Sequence, residues 1–201
     1  EDIDLPDHFI RLAAIDFGFD HPTAVSWVAW DADDDIIYVY DEYRRSKETP
    51  LTHAAVLNAR TPGIPVAFPN DGLQHDKGSS IQLAQQYRDL GVYMLPEHFS
   101  NPPVEGALHG NNSVEAGISE LLQRFETGRL QIFSSCTETM EEMRLYHRKN
   151  GKVVPIRDDL LSAMRYAALS VERFGEKLKT KTHYKKYGFN KEIEYSYAGV
   201  V

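Results

Sequence analysis

The chain has 201 residues, 42% of them hydrophobic and 26% charged, enough for one globular domain with its own core, or one domain and a tail. No apolar run approaches the roughly 20 residues needed to span a membrane, and the single cysteine, Cys136, excludes an internal disulfide framework and a cysteine-based zinc site. The formal net charge of -8 argues against a domain whose main task is to hold nucleic acid by its phosphates, but leaves room for an enzyme whose acids gather around cations.

The acidic opening, Glu1 to Pro6, lacks the basic-then-apolar order of a signal peptide. With the lone cysteine, it sets the expectation of an intracellular setting. Residues 1–8 are expected to be a linker remnant, 9–175 the folded domain, and 176–201 a basic, flexible tail. Phe9 to Asp16 predicts a buried strand ending in an acid, and Phe17 to Pro22 a turn. Thr23 to Trp30 and Ile36 to Tyr43 predict two more strands around a hairpin loop with Asp31, Asp33, Asp34 and Asp35. Thr49-Pro50 starts a helix to about Arg60, as an N-cap followed by proline at the first helical position.

Ile64 to Phe68 predicts a short strand, Pro69 to Gly78 a loop, and Ser79 or Ser80 the cap of a helix through Leu90. Val92 to Leu95 reads as another strand and Pro96 to Asn112 as a long irregular stretch. Val114, Ile118, Leu121, Leu122 and Phe125 recur at helical spacing. Leu130 to Phe133 predicts a strand, Thr137 to Arg148 a helix, and Asn150-Gly151 a hairpin tip. A last helix is expected from Asp158 to Gly175. Three consecutive strands followed by β/α alternation indicate a mixed sheet with helices on both faces. The tryptophans and strand tyrosines read as core.

Three acidic positions stand where a strand or helix ends, which is where α/β folds place their sites. Asp16 closes the first strand; the alternative is a turn acid capping local backbone N–H groups. Asp71 follows a short strand and precedes Gly72, a pair that is also a common turn. Asp158-Asp159 opens the last helix, where acids commonly cap; the helical wheel favours Asp158 as the inward-reaching member. Carboxylates from separate elements, without cysteine pairs or clustered histidines, suit hard cations such as Mg²⁺ or Mn²⁺. Two ions roughly 4 Å apart would suit phosphodiester hydrolysis.

Further along, Asp20 and His21 read as surface turn residues that can also orient a metal-bound water. Lys77 follows Asp71 on its loop. Arg148, Lys149, Lys152 and Arg157 flank the predicted hairpin. These basic residues are the candidates for contact with a DNA backbone, against ordinary surface charge as the alternative.

In their order and spacing, several motifs resemble the nuclease domain of tailed-phage large terminases. They are Ile15-Asp16-Phe17-Gly18 with Pro22-Thr23-Ala24, Asn70-Asp71-Gly72 with Asp76-Lys77-Gly78-Ser79, Asn112 to Ile118, Gly128-Arg129-Leu130, and Arg157 to Ala167. The resemblance covers about Phe9 to Phe174. It implies an α/β, RNase H-like fold of the resolvase/integrase type and two-metal cleavage of DNA. Asp16, Asp71, Asp158 and Asp159 would be the metal-binding, catalytic acids, holding two Mg²⁺ or Mn²⁺ ions. Ser162 stands where many relatives carry a further acid, so both members of the Asp158-Asp159 pair are candidates to complete the site.

The implied substrate is concatemeric, double-stranded viral DNA, cut at initiation and termination of genome packaging in the host cell cytoplasm. The implied partners are an N-terminal ATPase domain, a small terminase subunit and the portal, with no membrane. No Gly-x-x-x-x-Gly-Lys-Ser/Thr phosphate loop is present, so the chain is expected to be the nuclease piece of a longer protein. A Holliday-junction resolvase and a non-catalytic motor-to-portal docking module are the competing readings.

Overall fold

The computed structural model describes residues 2–60, 62–73, 82–100, 114–154 and 156–186, with side chains to 175 except at 152. Its centre is an antiparallel meander of β1 (Ile10–Asp16), β2 (Thr23–Asp31) and β3 (Ile36–Arg45). Two short strands flank it: β4 (Val66–Ala67) runs parallel to β1, and β5 (Leu130–Ile132) parallel to β3. The sheet order is β4-β1-β2-β3-β5. A separate hairpin pairs β6 (Arg148–Lys149) with β7 (Lys152–Val153). The helices are α1 (Pro50–Arg60), α2 (Leu83–Asp89), α3 (Val114–Glu126), α4 (Thr137–Leu145) and α5 (Asp159–Lys186).

The period-two alternation of strand side chains divides the core into two layers. Leu12 and Ala14 of β1, Val28 and Trp30 of β2, and Ile37 and Val39 of β3 face Met164, Ala167, Ala168 and Val171 of α5. Their chain neighbours Ala13, Ile15, Val25 and Trp27 face Ala54 and Leu57 of α1 and Ala84 and Tyr87 of α2. Strand β2 is covered on both faces, with every residue from Thr23 to Trp30 buried. Trp27 and Trp30 are core residues, as expected.

Four local differences separate this architecture from the sequence expectation. Helix α5 continues past Gly175 to Lys186. Gly175 is no helix stop: a Cβ there would lie 2.6 Å from both Ile10 Cδ1 and Trp30 Cζ3, so glycine lets the helix lie close on the sheet. Residues expected to form a strand at 92–95 contribute one parallel bridge, Val66 to Met94. Helix α4 stops at Leu145, which frees Arg148 for the hairpin. The tip of that hairpin has Asn150 at φ 51° and Gly151 at φ 77°, the positive pair that a two-residue turn between twisted strands requires. The fourth is the stretch after β4, which is a 3-10 turn (Asn70–Leu73) rather than open loop. The expected caps Ser79 and Ser80, and most of the 96–112 stretch, lie outside the described residues.

Candidate metal centre

The four acids reach one end of the sheet by three routes. Asp16 is the last residue of β1. Strand β4 runs parallel beside β1, so the chain leaves it at the same end, where Asp71 lies in the 3-10 turn. That turn packs tightly, because a Cβ on Gly72 would meet Phe68 Cδ2 at 2.5 Å and Phe17 Cε2 at 2.8 Å. Only a hydrogen fits between those rings. Asp16 pairs in register with Ala24, and Ala24 packs against Leu160 and Ala163. This contact docks the first turn of α5, with Asp158 and Asp159, beside the end of β1.

The electrostatics show that these groups feel one another. The carboxyl of Asp16 is pushed from 3.8 up to about 8, first by burial and then by the charges of Asp71, Asp159 and Asp158. Asp71 is raised by burial, and its Oδ1 is buried without a hydrogen-bond partner. Asp158 is raised by burial and then by Asp159. Asp159 is held differently, its Oδ2 accepting from Arg44 Nη2 at 3.1 Å. Among the described residues, no group of three or more histidine, cysteine or acidic side chains stands close enough to hold a metal ion as the side chains lie.

Two further charges belong to this region. Arg165, only 5% exposed, lies over the rings of Tyr166 (4.7 Å) and Phe99 (5.9 Å). Its positive charge opposes the upward shifts of Asp16 and Asp158. His21, on the exposed β1–β2 turn, does the same for Asp158. Glu142 of α4 is buried and pushed up to about 7, mainly by burial. Its Oε2 accepts the backbone N–H groups of Leu160 and Leu161 at 2.9 and 3.1 Å.

Arg44 and Glu142 escaped the sequence reading. No motif marks them, and each looks like an ordinary surface charge on a strand or a polar helix.

The basic candidates fare unevenly. Arg148 is exposed and bonded to both carboxylate oxygens of Glu115 on α3, at 2.9 and 2.6 Å. Arg157 is exposed and paired with Glu141 at 3.2 Å. Lys149 is exposed on β6, whereas Lys152 is placed only by its backbone in β7, and Lys77 lies outside the described residues. Burial raises the Tyr146 hydroxyl, which also feels the charges of both Asp158 and Arg148.

The family model for the terminase RNaseH-like domain matches residues 13–170, which takes in all four acids. The chain belongs to this family. The large terminase subunit of Salmonella phage P22 is 42% identical over 175 residues, covering 87% of this chain and 34% of that protein. The chain thus spans about a third of the length of that curated relative. The structure of the P22 large terminase nuclease domain superposes with a TM-score of 0.75 at 42% identity, covering 86% of both chains. The SPP1 large terminase nuclease domain, solved with bound manganese, shares the fold at a TM-score of 0.54 and 19% identity, covering 80% of this chain and 85% of that one. The terminase RNaseH-like domain is therefore the fold of this chain, a five-stranded mixed sheet flanked by helices, as the sequence led us to expect. Among the described residues, no helix is long and apolar enough to cross a membrane.

Proposed function

We propose that the chain is a divalent-metal-dependent endodeoxyribonuclease. In the packaging of a viral genome it cuts concatemeric double-stranded DNA at initiation and at termination, by two-metal hydrolysis of a phosphodiester. The observation that carries this reading is the convergence of Asp16, Asp71, Asp158 and Asp159 from three elements on one end of the sheet. A partly buried Asp16 carboxyl pushed to about 8 and a buried Asp71 Oδ1 with no partner are unfavourable in the bare protein. Both become favourable where cations sit, so the residues present fit divalent ions. All four donors are hard oxygens, the set that suits Mg²⁺ or Mn²⁺.

Bound divalent ions would lower the pKa of an attacking water and neutralise charge on the phosphodiester. The chain's own residues hold that arrangement. Asp16 is fixed by the paired end of β1, and Asp71 by the turn that Gly72 lets close. Asp158 and Asp159 are fixed by the first turn of α5. Arg165 supplies a buried positive charge that limits repulsion among the acids. Arg148, Lys149, Lys152, Arg157 and Lys77 are the candidate contacts to the DNA backbone, which position a duplex without reading its sequence.

The ATPase domain, small subunit and portal are the partners this reading assigns to the full-length protein, acting in the host cytoplasm. The test is plasmid cleavage with Mn²⁺, Mg²⁺ or EDTA beside a folded Asp16→Asn variant. Metal-dependent nicking and linearisation that the variant loses is the expected result. Cleavage that survives chelation would overturn the proposal.

A further inference from the structure

Strand β3 carries Glu42 and Arg44 two positions apart, hence on one face of the sheet. Arg44 lies opposite Ala24 in the register, and Ala24 packs on α5, so this face is the one α5 covers. Glu42 anchors the start of α4: its carboxylate accepts the N–H groups of Glu138 (2.9 Å) and Thr139 (2.8 Å) and the Thr139 hydroxyl (2.7 Å). Further along α4, Glu142 is 3% exposed and caps α5 through the N–H groups of Leu160 and Leu161. Arg44 lies between the two helices. Its Nη2 donates to Asp159 Oδ2 at 3.1 Å, and its Nε lies 3.3 Å from Glu142 Oε1 as an ion pair without hydrogen-bond geometry. Arg44 and Asp159 are both largely buried, at 16% and 14% exposure.

One strand therefore fixes α4, α4 fixes the first turn of α5, and the same strand reaches across to the acid on that turn. Arg44 takes a single oxygen of Asp159, leaving the other without that tie. A planar guanidinium can hold two carboxylates in a set mutual geometry, which an ammonium on a flexible stem cannot. A carboxylate oriented in this way is what a cation site needs from the residues behind its ligands.

We propose that Arg44, ion-paired with Glu142, is a positioning residue of the metal centre, setting the Asp159 carboxylate so that its free oxygen faces the cations. This rests on the reading of the four acids as a metal site. It gives the two acids of the pair different duties: Asp159 is pre-set by an arginine hydrogen bond, whereas Asp158, at the mouth of the helix, has no such bond among the described residues and feels Arg165 and His21 through their charge.

Mn²⁺ binding, measured by calorimetry well below every melting temperature, tests the inference in Arg44→Gln, Arg44→Lys and Glu142→Gln. A Leu57→Ala variant, cut into the opposite core layer, controls for destabilisation alone. Arg44→Gln is expected to weaken Mn²⁺ binding by about 10- to 100-fold. Arg44→Lys should recover part of that loss, and Leu57→Ala should bind as the unaltered chain does while melting lower. Should Arg44→Gln not fold, Arg44→Lys and Glu142→Gln carry the test, each expected to bind several-fold more weakly. Unaltered affinity in the folded Arg44 and Glu142 variants overturns the positioning role and leaves the metal site standing. Absence of Mn²⁺ binding by the unaltered chain overturns both.

Discussion

Replacing Asp16 by asparagine should stabilise the metal-free domain and make it indifferent to the cation that otherwise stabilises it. The folded chain holds the Asp16 carboxyl near 8 against an ordinary 3.8. At pH 7 that mismatch spans roughly three units below neutrality at about 1.4 kcal/mol each, a ceiling of about 4 kcal/mol. Water entry and relaxation of the neighbouring acids absorb part of it. We expect Asp16→Asn to raise stability in EDTA by about 1–3 kcal/mol, or about 3–10 °C for a chain of this size. The sign follows from linkage: a carboxyl whose folded value is raised contributes stability that is intact below about 4 and lost as the pH rises through about 8. The unaltered protein in EDTA should therefore melt progressively lower between those values, and Asp16→Asn should flatten that slope. Mn²⁺ at 1,000 times its dissociation constant should reverse the ranking, since it then stabilises the folded state by about 4.1 kcal/mol. Differential scanning fluorimetry across pH, with Mn²⁺ or EDTA, reads all of this. A variant that melts lower in EDTA and still gains the full Mn²⁺ shift would refute the reasoning.

Other perturbations separate the supports of the site. Gly72→Ala would drive a Cβ into the Phe68 and Phe17 rings at 2.5 and 2.8 Å; it should cost about 1–3 kcal/mol and weaken Mn²⁺ binding, as read by denaturant titration and calorimetry. Leu160→Ala empties a fully buried position against Ala24 and Ala163 and should cost about 2–5 kcal/mol in the same titration. Arg148→Ala breaks an exposed pair with Glu115 and should leave the melting temperature unchanged. If the hairpin meets the DNA backbone, it should also weaken duplex binding uniformly and lower the salt slope by about one, measured by fluorescence anisotropy against salt.

Much of the fold was legible because local patterns and tertiary needs agree. The apolar runs of β1 and β2 are strands because both faces are covered, and the stripe Leu160, Met164, Ala167, Ala168 and Val171 is the face α5 buries. Asn150-Gly151 announced its hairpin through the positive φ angles it needs. Gly175 misled because glycine commonly marks a helix end, whereas here its missing side chain answers to Trp30 and Ile10, residues far away in the chain. The four acids were visible as strand-end and helix-start positions, but their mutual approach depends on β4 running parallel to β1 and on Ala24 docking α5. The least legible pair was Arg44 and Glu142. Glu141 and Glu142 are neighbours of identical type, yet Glu141 is 57% exposed and Glu142 3%. Only the packing of α4 between β3 and α5 separates them.

That packing bears on how the four acids are kept at one end of the sheet in the bare protein. Like charges brought together from separate elements repel, and local groups compensate only in part: backbone N–H groups at Asp71, Gly72 and Asp158, and Arg165 further along α5. The rest of the compensation is long-range. Parallel pairing fixes where β1 and β4 end, Ala24 fixes where α5 begins, and Arg44 of β3 places positive charge against Asp159. Removing either arginine should therefore affect the acids more than the sheet. Local free energy is set aside at the site and recovered in the surrounding layers, the arrangement expected where geometry must stand ready before its ligand arrives. A chain with a net charge of -8 is then expected to gain affinity for a polyanion once cations occupy that end of the sheet. DNA binding that strengthens with Mn²⁺ in the unaltered chain, and not in Asp16→Asn, would distinguish this from capture by surface lysines and arginines alone.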